Sequence, residues 1–276
     1  MDFNLWREVS FPEEIALDKI VESGQCFRPK KISPSVYRFI TKHSFLYCKQ
    51  VSEKKLAFYV KEEEDWEKLW RPYFDIERNY REIEKKYPED MFLRKSIAFG
   101  RGLRVLRQDP FEMLITFILS QRKSIPAIRS SVEKLCSAFG EKVYSAVEEE
   151  EIAFFPEAEA LFGKDLSQCS LGYRLPFVKD AVERVVEGNL DLSALEEKET
   201  ESLLETLMEV HGVGVKVASC VALFGYSRMD ISPEDVWMKR IWEKKYQGKR
   251  PYEKQSDAGI IQQYLFHYAI HHKEEF

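Results

Sequence analysis

The sequence predicts an α+β fold: a small N-terminal antiparallel β-sheet followed by a mainly α-helical body. Three observations carry this. Short β-rich or alternating runs at residues 36–40, 45–51 and 56–60 are separated by Pro, Ser and Lys-Glu clusters, as expected of strands joined by turns. From about Trp66 onward the apolar spacing turns helical, as in residues 110–119 and 125–139, with joints that contain Gly or Pro. At 276 residues, 44% of them hydrophobic, the chain can also bury a sizeable core.

The change of pattern near residues 65–85 divides the chain into an N-terminal sheet domain with helices, 1–85, and a helical domain, 86–276. No internal repeat or low-complexity segment interrupts either part. In the final helix, residues 258–272, the positions Ile261, Tyr264, Leu265 and Tyr268 form one stripe that should face the core. Gln262 and Phe266 stand one turn apart on a neighbouring stripe, and Lys216 and Cys220 repeat that spacing on an earlier helix. Periodicity alone makes Cys220 a small core residue and Phe266 ordinary packing.

The formal net charge of -5 argues mildly against a nucleic-acid binder, because Lys and Arg supply much of the affinity for phosphate. Distribution can outweigh the total. Residues 94–107 hold five basic side chains and no acid, and residues 121–129 add Arg122, Lys123 and Arg129, so a local basic face is expected. Acid gathers at residues 62–67 and 148–151, which read as solvated outer faces. The five cysteines are scattered and include no C-x-x-C pair, which points to reduced thiols without a disulfide framework or a structural zinc site. Residues 1–22 lack the continuous apolar core of a signal peptide, and no run is long enough to span a membrane; the expected location is intracellular and cytoplasmic.

The most informative stretch is residues 204–246, which hold Gly212-Val213-Gly214, Lys216 and Asp235. Gly212 and Gly214 permit left-handed angles or a close backbone approach, so two helices joined there can present bare N–H groups to a phosphate. Lys216 falls at the start of a helix, where the positive end of the dipole disfavours an ammonium and favours an amine below its usual pKa of about 10.4. Asp235 closes Ser232-Pro233-Glu234-Asp235, read as a helix start capped by Ser232 with proline in the first turn. Taken singly, each has a structural reading: a tight corner, a solvated lysine, a capping box.

Together, the hairpin, the lysine and the aspartate resemble the helix-hairpin-helix signature of DNA base-excision glycosylases that also cleave the strand. Three further motifs, Ser23-Gly24-Gln25-Cys26-Phe27-Arg28, Leu103 through Pro110, and Leu171-Gly172-Tyr173-Arg174, follow in the order of the 8-oxoguanine DNA glycosylases, here of the bacterial type. The scattered cysteines separate the chain from endonuclease III-like relatives, many of which carry an iron-sulfur cluster. The resemblance implies that Lys216 displaces the base and forms a Schiff base, with Asp235 stabilising charge on the sugar. It implies that the Gly24 carbonyl distinguishes 8-oxoguanine from guanine, that Phe266 and Cys220 sandwich the extruded base, and that Gln262 reads its Watson-Crick edge. It assigns Tyr173 and Arg174 to the estranged base, and Gly212, Gly214 and Trp237 to DNA phosphate or the pocket. The implied partner is double-stranded DNA containing oxidised guanine, bound by a monomer away from any membrane. No redox cofactor and no catalytic metal is implied, and a structural cation near residues 210–214 is left open.

The chain also departs from the family pattern. Arg122 stands at an asparagine position that reads the opposite cytosine, and Ala127 at that of an arginine enforcing cytosine, so selectivity for the opposite base should relax. Trp237 replaces a histidine, and His211 replaces the proline before the Gly-Val-Gly turn, which should loosen the hairpin. Two alternatives remain at this level: a glycosylase of the same fold for another damaged purine, and a non-catalytic helix-hairpin-helix DNA-binding module.

Overall fold

The computed structural model describes residues 4–60 and 63–276. Glu62, in the first acidic run, lies outside the described residues. Strands β1 (Asn4–Ser10), β2 (Lys30–Ser33), β3 (Val36–Thr41), β4 (Ser44–Ser52) and β5 (Lys55–Val60) form an antiparallel sheet in the order β1-β5-β4-β3-β2. The three runs read from the sequence are β3, β4 and β5. Strands β1 and β2 edge the sheet on either side.

Successive side chains point to opposite faces of a strand, and here both faces are covered. Tyr37, Phe39, Leu46, Cys48, Leu56 and Phe58 face a core shared with Trp66, Trp70, Phe74 and Leu106. Ile40, Phe45 and Tyr47 face the other way and meet Ile152 and Phe154. Ile152 belongs to, and Phe154 directly follows, an element absent from the helical expectation for the body, a hairpin of β6 (Lys142–Ser145) and β7 (Glu150–Ala153). It straps the helical part onto the sheet.

The acidic run at 148–151 forms part of that strap, and its reading as a solvated face needs correcting at Glu148. That side chain is only 2% exposed and takes Lys30 at 2.8 Å and Arg38 at 3.0 Å, with the Tyr47 hydroxyl donating to it at 3.0 Å. Two cations from the sheet compensate its desolvation. Sequence proximity to Glu149, Glu150 and Glu151 concealed a residue with a different environment.

The helical body runs through α1 (Leu17–Glu22), α2 (Tyr80–Lys86), α3 (Met91–Gly100), α4 (Pro110–Ser120), α5 (Ile125–Phe139), α6 (Leu175–Val186), α7 (Thr200–Met208), α8 (Val215–Tyr226), α9 (Val236–Tyr246) and α10 (Ala258–His271), apart from α1, which packs under the sheet. At its centre α4 lies along α8, close enough that a Cβ on Gly225 would sit 3.2 Å from Pro110 Cα. Phe117 stacks on Phe224 between them at 5.5 Å, an offset-stacking distance that fixes how the two helices face. The expected stripe of α10, Ile261, Tyr264, Leu265 and Tyr268, is buried.

Candidate active site

The turn between α7 and α8 uses its two glycines differently. Gly212 has φ +79°, and a Cβ there would fall 2.4 Å from the Phe177 ring, so both the angle and the contact require glycine. Gly214 is extended at φ -103° and caps α8, with open space where a side chain would be. It leaves the first-turn N–H groups of α8 uncovered, a ready site for an anion. His211, expected to loosen the hairpin, has partners for both its backbone and its ring. Its N–H donates to Asp180 Oδ2 at 2.8 Å, and its ring meets Phe177 edge-on at 4.7 Å.

Lys216, the second residue of α8, is half-buried. Its ammonium donates to Ser120 Oγ at 3.4 Å and lies 5.3 Å from the Phe117 ring centre. Asp235 is itself the N-cap of α9 and accepts from the N–H groups of Trp237 and Met238 at 2.9 Å each. Ser232 is therefore not the cap: the helix starts three residues later than its serine and proline suggested. Burial raises the Asp235 carboxyl above its ordinary pKa, while the two N–H groups and the charge of Lys216 pull it back.

Lys216 and Asp235 open onto one cavity of about 690 Å³, together with Gly24, Arg122, Trp237 and Phe266. Gly24 reaches it through a chain of buried hydrogen bonds. The Gln25 amide donates to Ser23 Oγ and to the Arg104 carbonyl, both at 2.8 Å, and accepts from the Leu106 N–H at 2.7 Å. Gln108 Nε2 then donates to the Gln25 carbonyl at 2.8 Å. Two of the sequence motifs are thus one stitched unit, and it holds Gly24 at φ +76° against Phe266, whose Cε1 would be 3.0 Å from an added Cβ.

Cys220 and Gln262 sit behind this wall and do not line the cavity. Both are almost fully buried; burial raises the Cys220 thiol pKa, and the Gln262 amide oxygen accepts from Gln263 Nε2 at 2.8 Å. Arg122 projects from the loop after α4 with φ +51°, a left-handed conformation that asparagine tolerates better than arginine. Tyr173 is 51% exposed and its hydroxyl donates to the Gln121 carbonyl at 3.3 Å.

Arg174 is only 6% exposed. Its Nε and Nη2 donate to the Gln121 carbonyl, the former at 2.8 Å, and Nη1 donates to the Leu171 carbonyl at 3.3 Å. In this structure it clamps the Arg122 loop rather than offering a free surface. Gln121 Nε2 extends the clamp to the Gly212 carbonyl at 3.1 Å. Phe117 and Asp180 thus position the site without belonging to any recognised motif, together with Ser120 and Gln121 of the segment that carries Arg122.

Four of the five basic residues at 94–107 are paired with acids and do not form the expected open basic face. Lys95 pairs with Glu275, Arg101 with Glu14 and Glu84, Arg107 with Glu196, and buried Arg104 with Glu13 at 2.8 Å. Their acids come from distant parts of the sequence, so a local count of charge missed them. Among the described residues, no group of three or more His, Cys, Asp or Glu is placed to hold a metal, and no helix is long and apolar enough to cross a membrane. At the hairpin the carbonyls of Val210 and Gly212, which a cation there would use, each already accept one hydrogen bond.

Residues 9–114 match the model of the 8-oxoguanine DNA glycosylase N-terminal domain. The curated probable N-glycosylase/DNA lyase of Methanothermobacter thermautotrophicus is 28% identical over 231 residues, 71% of either chain. Among solved structures, MBOgg1 in complex with a low-affinity DNA ligand is 32% identical with a TM-score of 0.90, covering 98% of this chain and 99% of that one. The apo 8-oxoguanine glycosylase/lyase of Clostridium acetobutylicum is 31% identical with a TM-score of 0.87, covering 98% of this chain and 100% of its own. The chain belongs to the 8-oxoguanine DNA glycosylase/lyase family.

Proposed function

We propose that this protein extrudes 8-oxoguanine from double-stranded DNA, excises it through Lys216 and then breaks the strand by β-elimination. One observation carries the reading: an amine, a half-buried carboxylate, a glycine and an aromatic ring share a single cavity. Its volume of about 690 Å³ lies within the range of roughly 300–1,000 Å³ usual for small-molecule sites. An extruded base fits that scale, at a cost of a few kcal/mol of lost pairing and stacking.

The neutral amine of Lys216 attacks C1′ of the deoxyribose. The glycosidic bond breaks with its electron pair on the base, which leaves after taking up a proton. Ring opening gives the imine, removal of a C2′ proton expels the 3′ phosphate, and water returns the lysine. Asp235, ionised beside the sugar, opposes its developing positive charge in a site that excludes water. Every step is a bond exchange or a proton transfer, so the reaction requires no redox cofactor. All the groups come from one chain, consistent with a monomer acting wherever the cell keeps its DNA.

Base selection rests on the N7 proton. Guanine N7 accepts a hydrogen bond, whereas 8-oxoguanine donates one there. Among the described residues nothing donates to the Gly24 carbonyl, which leaves it free for that proton. An acceptor left unpaired by undamaged guanine disfavours the wrong base by about 1–3 kcal/mol.

Borohydride reduction of the imine tests the proposal. Duplexes carrying 8-oxoguanine opposite each base should give a covalent adduct with the native protein and none with Lys216→Gln. Trapping only on a different purine lesion, or no trapping on any damaged duplex, would overturn it.

A further inference from the structure

The cavity wall contains a cation that no sequence motif singled out. Lys273, in the turn Lys273–Glu275 after α10, lines the cavity and is exposed. Nearby Lys95 and Lys245 are both tied to Glu275, whereas Lys273 has no ion pair among the described residues. We propose that Lys273 binds a phosphate of the DNA strand that carries the extruded nucleotide. The inference rests on the glycosylase reading, which supplies the extruded nucleotide.

The turn that presents Lys273 is anchored. Glu275 accepts from Tyr268 Oη at 2.5 Å, Lys95 Nζ at 3.0 Å and Lys245 Nζ at 3.2 Å, and these bonds hold its carboxyl down at about 2. The His272 ring stacks on Tyr268 at 4.0 Å, and Phe276 meets Phe92 at 6.1 Å. A lysine on so fixed a support loses little backbone freedom when it takes a ligand.

Charge and geometry name the ligand class. The charged side chains lining the cavity are Arg122, Lys123, Lys216 and Lys273 against the single carboxylate of Asp235. Lys123 is directed elsewhere, to Ser131 Oγ at 2.6 Å and the Ser170 carbonyl at 2.8 Å, and Lys216 serves the sugar. When a base enters the cavity its phosphates stay at the mouth, where Lys273 stands as a compact charge with three donors. A cation just beyond a helix C-terminus also suits the helix dipole. That structural role alone would change stability and leave DNA binding untouched.

The test is the salt dependence of binding to a duplex with a tetrahydrofuran abasic-site analogue, using the full chain. Lys273→Ala should lower the slope of log affinity against log salt by about 0.9, equivalent to roughly eightfold weaker binding at about 0.1 M salt. Lys273→Arg should keep the slope. An unchanged slope in Lys273→Ala overturns the proposal. So does a loss confined to 8-oxoguanine duplexes at unchanged slope, which would put the ammonium on the base. The native protein's adduct is the separate control: if it fails to form, the glycosylase reading falls, whatever Lys273 does.

Discussion

Asp235 stands between opposing influences. Burial favours its neutral acid, while two helix N–H groups and Lys216 favour the carboxylate, and burial wins. Its folded pKa therefore lies above the ordinary value of about 3.9. The carboxylate must be ionised to oppose charge on the sugar, so activity is present above the folded pKa and lost as pH falls through it. Single-turnover excision should consequently show an acid limb above the range of an ordinary aspartate. Asp235→Asn keeps a capable N-cap but removes the charge; it should slow excision by about 100- to 1,000-fold and abolish the limb. A limb that survives in this variant belongs to another group. Lys216, Asp235 and Gly24 were legible in the sequence because ordered motifs mark them, and Phe266 through the family resemblance those motifs carry. Arg174 was found as a motif residue, but its burial beneath the Gln121 carbonyl was not, since which atoms an arginine touches depends on a loop 53 residues away. Lys273 carried no signal at all.

The helix-hairpin-helix element shows how a local departure is absorbed. A proline before the turn would restrict the backbone and carry no N–H, whereas His211 has an N–H that needs a partner. Asp180 on α6 supplies it at 2.8 Å while also pairing with Arg184 at 3.0 Å. Asp180→Ala should then destabilise the turn by about 1 kcal/mol, a typical net worth for a partly exposed hydrogen bond, and weaken binding to abasic duplexes. Adding His211→Pro to that variant removes the orphaned donor and should restore binding. Paired measurements of abasic-duplex affinity in the single and double variants check this; equal affinities would show that the bond does not hold the hairpin. From sequence the turn, the lysine helix and α10 were readable through glycine spacing and apolar stripes. The start of α9 was misplaced because Ser232-Pro233 imitates a helix start, while Asp235 with two N–H bonds makes the actual one.

At the scale of the whole molecule, the sheet and the helical body are joined by buried charge that a linear reading cannot pair. Strand period and helical stripes disclosed the two parts, but Glu148 with Arg38 and Arg104 with Glu13 join residues about a hundred positions apart. Glu112 on α4 is the most perturbed acid at this junction. Burial raises its pKa to about 7; the positive charge of Arg28 opposes the rise without overcoming it, and Asp109 and Glu133 add to it. The ordinary glutamate value is about 4.3, so between these values the folded chain keeps a proton that the unfolded chain has released. Stability contributed by the neutral acid is complete below about 4.3 and declines as pH rises, by about 4 kcal/mol once the folded group has ionised. Glu112→Gln mimics the neutral acid at every pH and removes that decline. Urea unfolding at pH 5 and pH 8 should therefore give a stability difference between variant and native protein that moves in the variant's favour by roughly 3 kcal/mol at the higher pH. The other titrating groups cancel in this comparison, so a difference independent of pH would mean that Glu112 ionises freely and that the junction tolerates its charge.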